Sequence, residues 1–212
     1  MDKSLRGSSE KGLRHELDGL PATAAITVRL ADSGQLPTLA AIARAEIPGV
    51  CLNARGLAKF LAHDPESIFT FERWGSLLGG IAFLHLNCRG HDALLLDAID
   101  LKQPDREFLA RPGEEVSAMY VWALAGYGRA ALGLGNVKEY LKRPRFLGAD
   151  YFAQPSTPAG RDLLVALGFK PISSFQPDLW SYERPWNRLP PHMPSPHIPG
   201  VVSVGSFADA RH

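Results

Sequence analysis

The stretch Tyr120-Val-Trp-Ala-Leu-Ala-Gly-Tyr-Gly-Arg-Ala-Ala131 decides how this chain folds. Its front, Ala118 to Leu124 (AMYVWAL), is rich in β-branched and aromatic residues and predicts a strand. Gly126 and Gly128 make a turn, and Arg129 to Lys142 predicts a helix with Leu132, Val137, Tyr140 and Leu141 on its apolar side. Gly133 and Gly135 weaken that helix by about 1 kcal/mol each relative to alanine. The first N–H groups of a helix lack internal partners and carry the positive end of the macrodipole. Glycines let an anion come close to them, so the turn suits a phosphate or pyrophosphate. Gly128 and the small Ala130 and Ala131 fit that demand, and Arg129 adds a charge. An ordinary strand-to-helix turn would also need these glycines, for its backbone angles alone.

Outward from this turn the periodicities alternate. Upstream, Ala25 to Leu30 (AITVRL) predicts a strand and Gln35 to Ala45 a helix, stopped by Pro48-Gly49. Asn53 to Ala62 predicts a second short helix. Ser67 to Arg73 and Leu77 to Asn87 predict a hairpin turning at Gly75. Residues 92–112 carry no clear period; Ala93 to Ile99 fits a helix or a strand. Downstream, Phe146 to Ala153 (FLGADYFA) predicts a strand. Pro158 to Leu167 predicts a helix capped by Thr157 and ended by Gly168. Ile172 to Phe175 and Leu179 to Glu183 predict two closing strands. A strand–helix–strand run among antiparallel pairings implies an α/β (α+β) fold, a mixed central sheet with helices on both faces.

Composition bounds the function. The chain has 212 residues, 45% of them hydrophobic and 21% charged, enough for one cored domain. Residues 1–24 read as a flexible N-terminal segment, 25–184 as the folded domain, and 185–212 as a proline-rich C-terminal arm. Lys+Arg 23 against Asp+Glu 22 gives a net charge of +1, which argues against general nucleic-acid binding. No apolar run is long enough to span a membrane and no secretory signal is visible, so a cytoplasmic protein is expected. Cys51 and Cys88 have no metal or disulfide pattern; buried free thiols and no metal site are expected.

Gly126-x-Gly128-x-x-Ala131 also satisfies a dinucleotide fingerprint. That fingerprint should open a run of βαβ units and be followed by an acid at a strand end. Here it lies past the midpoint of the chain, and the nearest acid is Asp150. A nicotinamide enzyme is the weaker reading.

Ala125-Gly-Tyr-Gly128-Arg-Ala130 resembles the Q/R-x-x-G-x-G/A acyl-CoA loop of the GNAT (Gcn5-related) N-acetyltransferases. Ala25 to Pro48 resembles the opening strand and first helix of that family, 67–87 its second and third strands, and 150–169 its last βα unit, ending in Gly168-Phe169. The resemblance covers about 25–184, and the order of the motifs carries it. It implies a mostly antiparallel sheet with a V-shaped split between strands 118–124 and 146–153. Acetyl-CoA or another acyl-CoA, as co-substrate, would lie in that split. Pantetheine would run beside Trp122, Ala123 and Leu124, and the pyrophosphate would sit on amides of Tyr127, Gly128, Arg129, Ala130 and Ala131. The implied reaction is direct acyl transfer to a small-molecule or peptide amine acceptor, with homodimerisation open.

Two positions depart from the family pattern. Ala125 replaces the arginine or glutamine that opens the loop. Leu164 stands where the family often places the tyrosine that protonates the leaving thiolate. Tyr120, Ser156 and Tyr151 are the catalytic candidates in its stead. A catalytically lapsed module that binds acyl-CoA or a protein partner is the alternative. Glu114, Glu115, Glu46 and Glu72 are secondary acid–base candidates. His85 reads as a satisfied core histidine, and Lys138, Lys142, Arg143 and Arg145 as a solvated basic face at a helix C-terminus.

Overall fold

The computed structural model describes residues 26–182, Pro48 and Cys51 excepted. The N-terminal segment, the proline-rich arm and Cys51 therefore lie outside the described residues. Seven strands form one sheet in the order β1-β2-β3-β4-β5-β7-β6. They are β1 Thr27–Leu30, β2 Ile68–Arg73, β3 Ser76–Leu86, β4 Ala118–Gly126, β5 Asp150–Ala153, β6 Phe169–Pro171 and β7 Trp180–Tyr182. Only β4 and β5 run parallel; the other neighbours are antiparallel.

The β2–β3 hairpin turns on Trp74 and Gly75, both with positive φ (50° and 79°), as a two-residue hairpin turn demands. Side chains alternate across the sheet as the pleat requires. Phe69, Phe71, Ile81, Phe83 and Met119 pack on one face, with Val137 and Phe146 laid over them. On the other face Leu84, Leu86, Tyr120 and Phe152 pack beneath Ala93 and Leu94. A third cluster joins Leu36, Leu39, Ala40 and Ala43 to Leu57, Ile68 and Ala82 on that same face.

The helices are α1 Leu36–Glu46, α2 Ala54–His63, α3 Cys88–Leu95, α4 Leu134–Tyr140, α5 Pro144–Leu147 and α6 Pro158–Leu167. Three local expectations are corrected. Residues 129–142 do not form one helix: a 3-10 turn, Ala130–Gly133, precedes α4. Gly133 is pressed against the core, where an added Cβ would lie 2.7 Å from Phe71 Cδ1. The strand expected from Phe146 begins only at Asp150, because Pro144 opens the one-turn α5 and buries Phe146 completely. Ile172 to Phe175 is no strand; the chain enters β6 at Phe169, directly after Gly168 ends α6 in the left-handed conformation (φ 90°).

The unreadable segment opens with α3, capped by Asn87, whose Oδ1 accepts from the Gly90 amide at 2.9 Å. Cys88, the first residue of α3, is exposed, not buried as expected. The architecture is otherwise the GNAT-like one that the loop resemblance implies: a mixed, mostly antiparallel sheet with helices on both faces.

Candidate active-site cleft

The central parallel pair is short. Ala118 to Val121 align with Asp150 to Ala153, and there the pairing ends. β4 continues to Gly126 on its β3 side, with Ile81 opposite Leu124 and Gly79 opposite Gly126. Trp122 to Gly126 thus have no strand partner on the β5 side among the described residues. β5 gives way to Gln154-Pro155-Ser156 and then to α6, capped by Thr157 Oγ1 accepting from the Gly160 amide at 2.9 Å. Between the diverging segments lies a cleft of about 660 Å³. This is the expected V-shaped split, opened because α6 starts where β5 would otherwise continue.

At the far end of β4 the loop presents its amides unevenly. Tyr127 N–H donates to Leu78 O at 2.9 Å, and Ala130 N–H to Tyr127 O at 3.1 Å. Two of the five amides assigned to an anion are therefore occupied. Those of Gly128, Arg129 and Ala131 have no backbone acceptor among the described residues, and all three residues are exposed. Gly128 holds φ 56°, the left-handed conformation that turns the chain from strand to helix. Gly128, Ala130 and Ala131 line the cleft.

The expected site residues divide sharply. Trp122, Ala123 and Leu124 line the cleft along the open edge of β4. Trp122 is held by an N–H bond from its indole to Leu101 O at 2.6 Å and by Phe60, 4.4 Å away between ring centroids. Tyr120 lines the cleft floor and is only 6% exposed. Its hydroxyl donates to Gln154 Oε1 at 2.7 Å, and burial pushes its pKa well above the ordinary 10.0. Ser156 lines the cleft at its exposed rim. Tyr151 does not line it. It packs on the opposite face of the sheet, edge-on to Tyr182 at 6.3 Å. The pleat separates it from Tyr120, since Tyr151 aligns with Met119 and Phe152 with Tyr120.

Gln154 was missed by sequence reasoning. It lines the cleft, accepts from Tyr120, and its Nε2 donates to Pro177 O at 2.6 Å. A lone glutamine in a proline-bearing connector gives no periodic signal; only the end of β5 reveals it.

Of the secondary acids, Glu46 lines the cleft. Glu72 is engaged instead at the β1 edge, accepting from Gln35 Nε2 at 2.7 Å. Glu114 accepts from the Arg111 amide at 2.8 Å, and neither it nor Glu115 lines the cleft. Leu164, at the position for which the loop resemblance leads one to expect tyrosine, is buried against Ala153 and Trp180 and also lines the cleft.

The basic face expected at the end of the loop helix is in part an interior ion network. Arg145 is nearly buried and binds Asp64 Oδ2 (2.5 Å) and Glu66 Oε2 (2.5 Å). Asp64 also lies 2.7 Å from His85 Nδ1, so His85 is a core histidine with a carboxylate partner. Burial would raise the Asp64 pKa, but hydrogen bonds with His85 and Arg145 outweigh it and hold the carboxyl well below 3.8. Arg143 pairs with Glu66, and Lys142 with Glu139 at 2.7 Å. Glu66 also accepts from Tyr140, whose pKa burial and that carboxylate together raise to about 12. None of these groups lines the cleft. Among the described residues no group of three or more His, Cys, Asp and Glu could hold a metal ion, and no helix is long and apolar enough to cross a membrane.

No protein-family model matches the chain, and no curated protein matches it. Solved structures similar to it in shape include Ard1 from Thermoplasma volcanium, at 12% identity and TM-score 0.46, covering 74% of this chain and 95% of that one. Naa50 from Arabidopsis thaliana, in complex with the bisubstrate analogue CoA-Ac-MVNAL, is similar at 13% identity and TM-score 0.45, again covering 74% and 95%. The GNAT-like decarboxylase GphF, in complex with isobutyryl-CoA, is similar at 13% identity and TM-score 0.46, covering 65% of this chain and 71% of that one.

Proposed function

We propose that the chain is an acyl-CoA-dependent N-acyltransferase, acetyl-CoA being the simplest donor, that moves the acyl group directly to an amine. The observation that carries this reading is the open edge of β4 inside a cleft lined at its far end by the exposed Gly128 and Ala131, whose amides have no backbone acceptor among the described residues. An extended pantetheine suits the unpaired backbone of Trp122 to Leu124, because a strand edge binds an extended chain through alternate N–H and C=O groups. The amides of Gly128 and Ala131, which line the cleft, suit the pyrophosphate, and the exposed Arg129 amide lies between them outside the lining. Tyr127 and Ala130 shape the loop through their own internal bonds and offer it no amide.

In the reaction the neutral amine nitrogen attacks the thioester carbonyl carbon; a C–N bond forms, the C–S bond breaks, the nitrogen gives up its extra proton to solvent, and the departing thiolate takes one from an acid. Leu164 has no proton to give. Tyr120 is the buried hydroxyl this cleft offers in its place: to protonate the thiolate it must leave its bond to Gln154, and burial makes it a weaker acid than an ordinary tyrosine. Ser156, exposed at the rim, is a further hydroxyl within the cleft's lining, beside Thr157, whose oxygen caps α6. Tyr151 has no part in this scheme, being on the other face.

The test is thiol release from acetyl-CoA by the full chain with a panel of amines. Release that depends on both acetyl-CoA and amine supports the reading. Stabilisation by CoA without release from any donor would favour the second reading, a binding module that has lost its chemistry, which the buried Leu164 motivates.

A further inference from the structure

The charge on the cleft wall points to the class of acceptor. Among the described residues that line it, Glu46 and Asp178 alone carry a formal charge, and both are acidic; no Lys, Arg or His reaches it. Glu46 is the last residue of α1 and is already engaged within the chain. Asp178 is exposed in the loop between β6 and β7 and has no partner among the described residues. It holds φ 51°, a left-handed conformation that aspartate tolerates better than bulkier residues. The residue before it is fixed, because Pro177 O accepts from Gln154 Nε2, and Gln154 in turn accepts from Tyr120. One side chain thus ties the acidic loop to the hydroxyl on the cleft floor.

Asp178 and the edge of β4 line the same cleft, and Leu179, next to Asp178, packs with Tyr120 and Trp122. Val121 and Leu124 pack toward the α4 face, on which the 130–140 run lies, whereas Tyr120 and Trp122 pack toward the α3 face. An amine approaching Tyr120 and Trp122 meets aromatic surface and the Asp178 carboxylate. An acceptor with its own carboxylate would meet the like charge of Asp178, with no cation to offset it among the described residues that line the cleft.

Resting on the acyltransferase reading, we propose that the acceptor is an alkyl amine bearing a second positive charge and no carboxylate, with Asp178 holding the distal charge. The attacking nitrogen must be neutral when it reacts, so recognition by Asp178 falls on the other cationic group. Asp178 is then a specificity-determining residue, and Gln154 positions its loop.

Cadaverine, lysine and n-pentylamine test this directly, because lysine is cadaverine with a carboxylate and n-pentylamine is cadaverine without its second amine. With acetyl-CoA and the full chain, thiol release should give kcat/KM for cadaverine about tenfold above each of the others, the scale of one charge contact in a partly wet cleft. D178N should remove the advantage over n-pentylamine while the acetyl-CoA Kd stays unchanged. If lysine equals cadaverine, or D178N leaves the ratios as they were, the inference is overturned and the acyltransferase reading stands. If acetyl-CoA binds and no amine of the three is acylated or bound, the inference is likewise overturned. Failure of acetyl-CoA itself to bind would overturn the acyltransferase reading beneath it.

Discussion

The hydroxyl of Tyr120 and the side-chain carbonyl of Gln154 are 2.7 Å apart, and this bond spans the place where β4 and β5 part. It joins the floor of the cleft to the connector that leads into α6. Because the hydroxyl is buried and already donating, its proton is retained and its direction set. Tyr120→Phe removes the proton and keeps the ring. Under the proposed scheme it should lower kcat about 100-fold, the scale of one general acid, with the acetyl-CoA Kd unchanged by titration. An undiminished kcat would remove Tyr120 from the chemistry.

Gly128→Val tests the loop. A β-branched residue at φ 56° costs about 1–2 kcal/mol in backbone strain, yet no atom lies within 4 Å of the space its Cβ would take. The variant should therefore stay folded by circular dichroism. Its acetyl-CoA Kd should rise at least about tenfold as the free amides turn away, a loss of about 1.4 kcal/mol in binding. Wild-type affinity in the folded variant would move the pyrophosphate elsewhere.

Asp64 links the fold to pH. Its folded-state pKa is depressed below 3.8, so its contribution to stability is complete above that value and is lost as pH falls further. Thermal melts of the wild type should show Tm falling below about pH 4. Asp64→Asn should flatten that acid limb. It should also lower stability at neutral pH by about 3–5 kcal/mol, because Arg145 is left buried without its full partner. A neutral-pH Tm equal to wild type would show that the network adds little.

Thr157→Ala should cost about 1 kcal/mol, the value of one N-cap bond, read as a fall in Tm. Because Thr157 lines the cleft one residue after Ser156, the same variant should also weaken acetyl-CoA binding modestly. An unchanged Tm would mean that Pro158 alone fixes the start of α6.

Much of the frame was legible because local chemistry and tertiary packing agree there. Thr157, Pro158 and Gly168 mark both ends of α6, and the alternation in 67–87 marks the hairpin. Where long-range packing decides, the sequence misleads. Phe146 looks like the start of a strand, but the core needs it at the base of a one-turn helix. Arg145 looks solvated beside three other cations, yet its partners Asp64 and Glu66 lie about eighty residues earlier in the chain. Tyr120 and Tyr151 looked equivalent; the pleat sends them to opposite faces, which only the β4–β5 register reveals. The amides of Tyr127 and Ala130 are lost to Leu78 and to Tyr127 itself, a turn geometry that a glycine pattern does not encode.

The open edge of β4 and the three unengaged amides are worth nothing to this account unless a CoA thioester occupies them. Calorimetric titration of acetyl-CoA into the full chain is the direct measurement. One acetyl-CoA should bind per chain and raise Tm, with a stabilisation of about 2.7 kcal/mol at a hundredfold excess over Kd. No heat of binding and no shift in Tm with acetyl-CoA, in a chain that melts cooperatively, would contradict it.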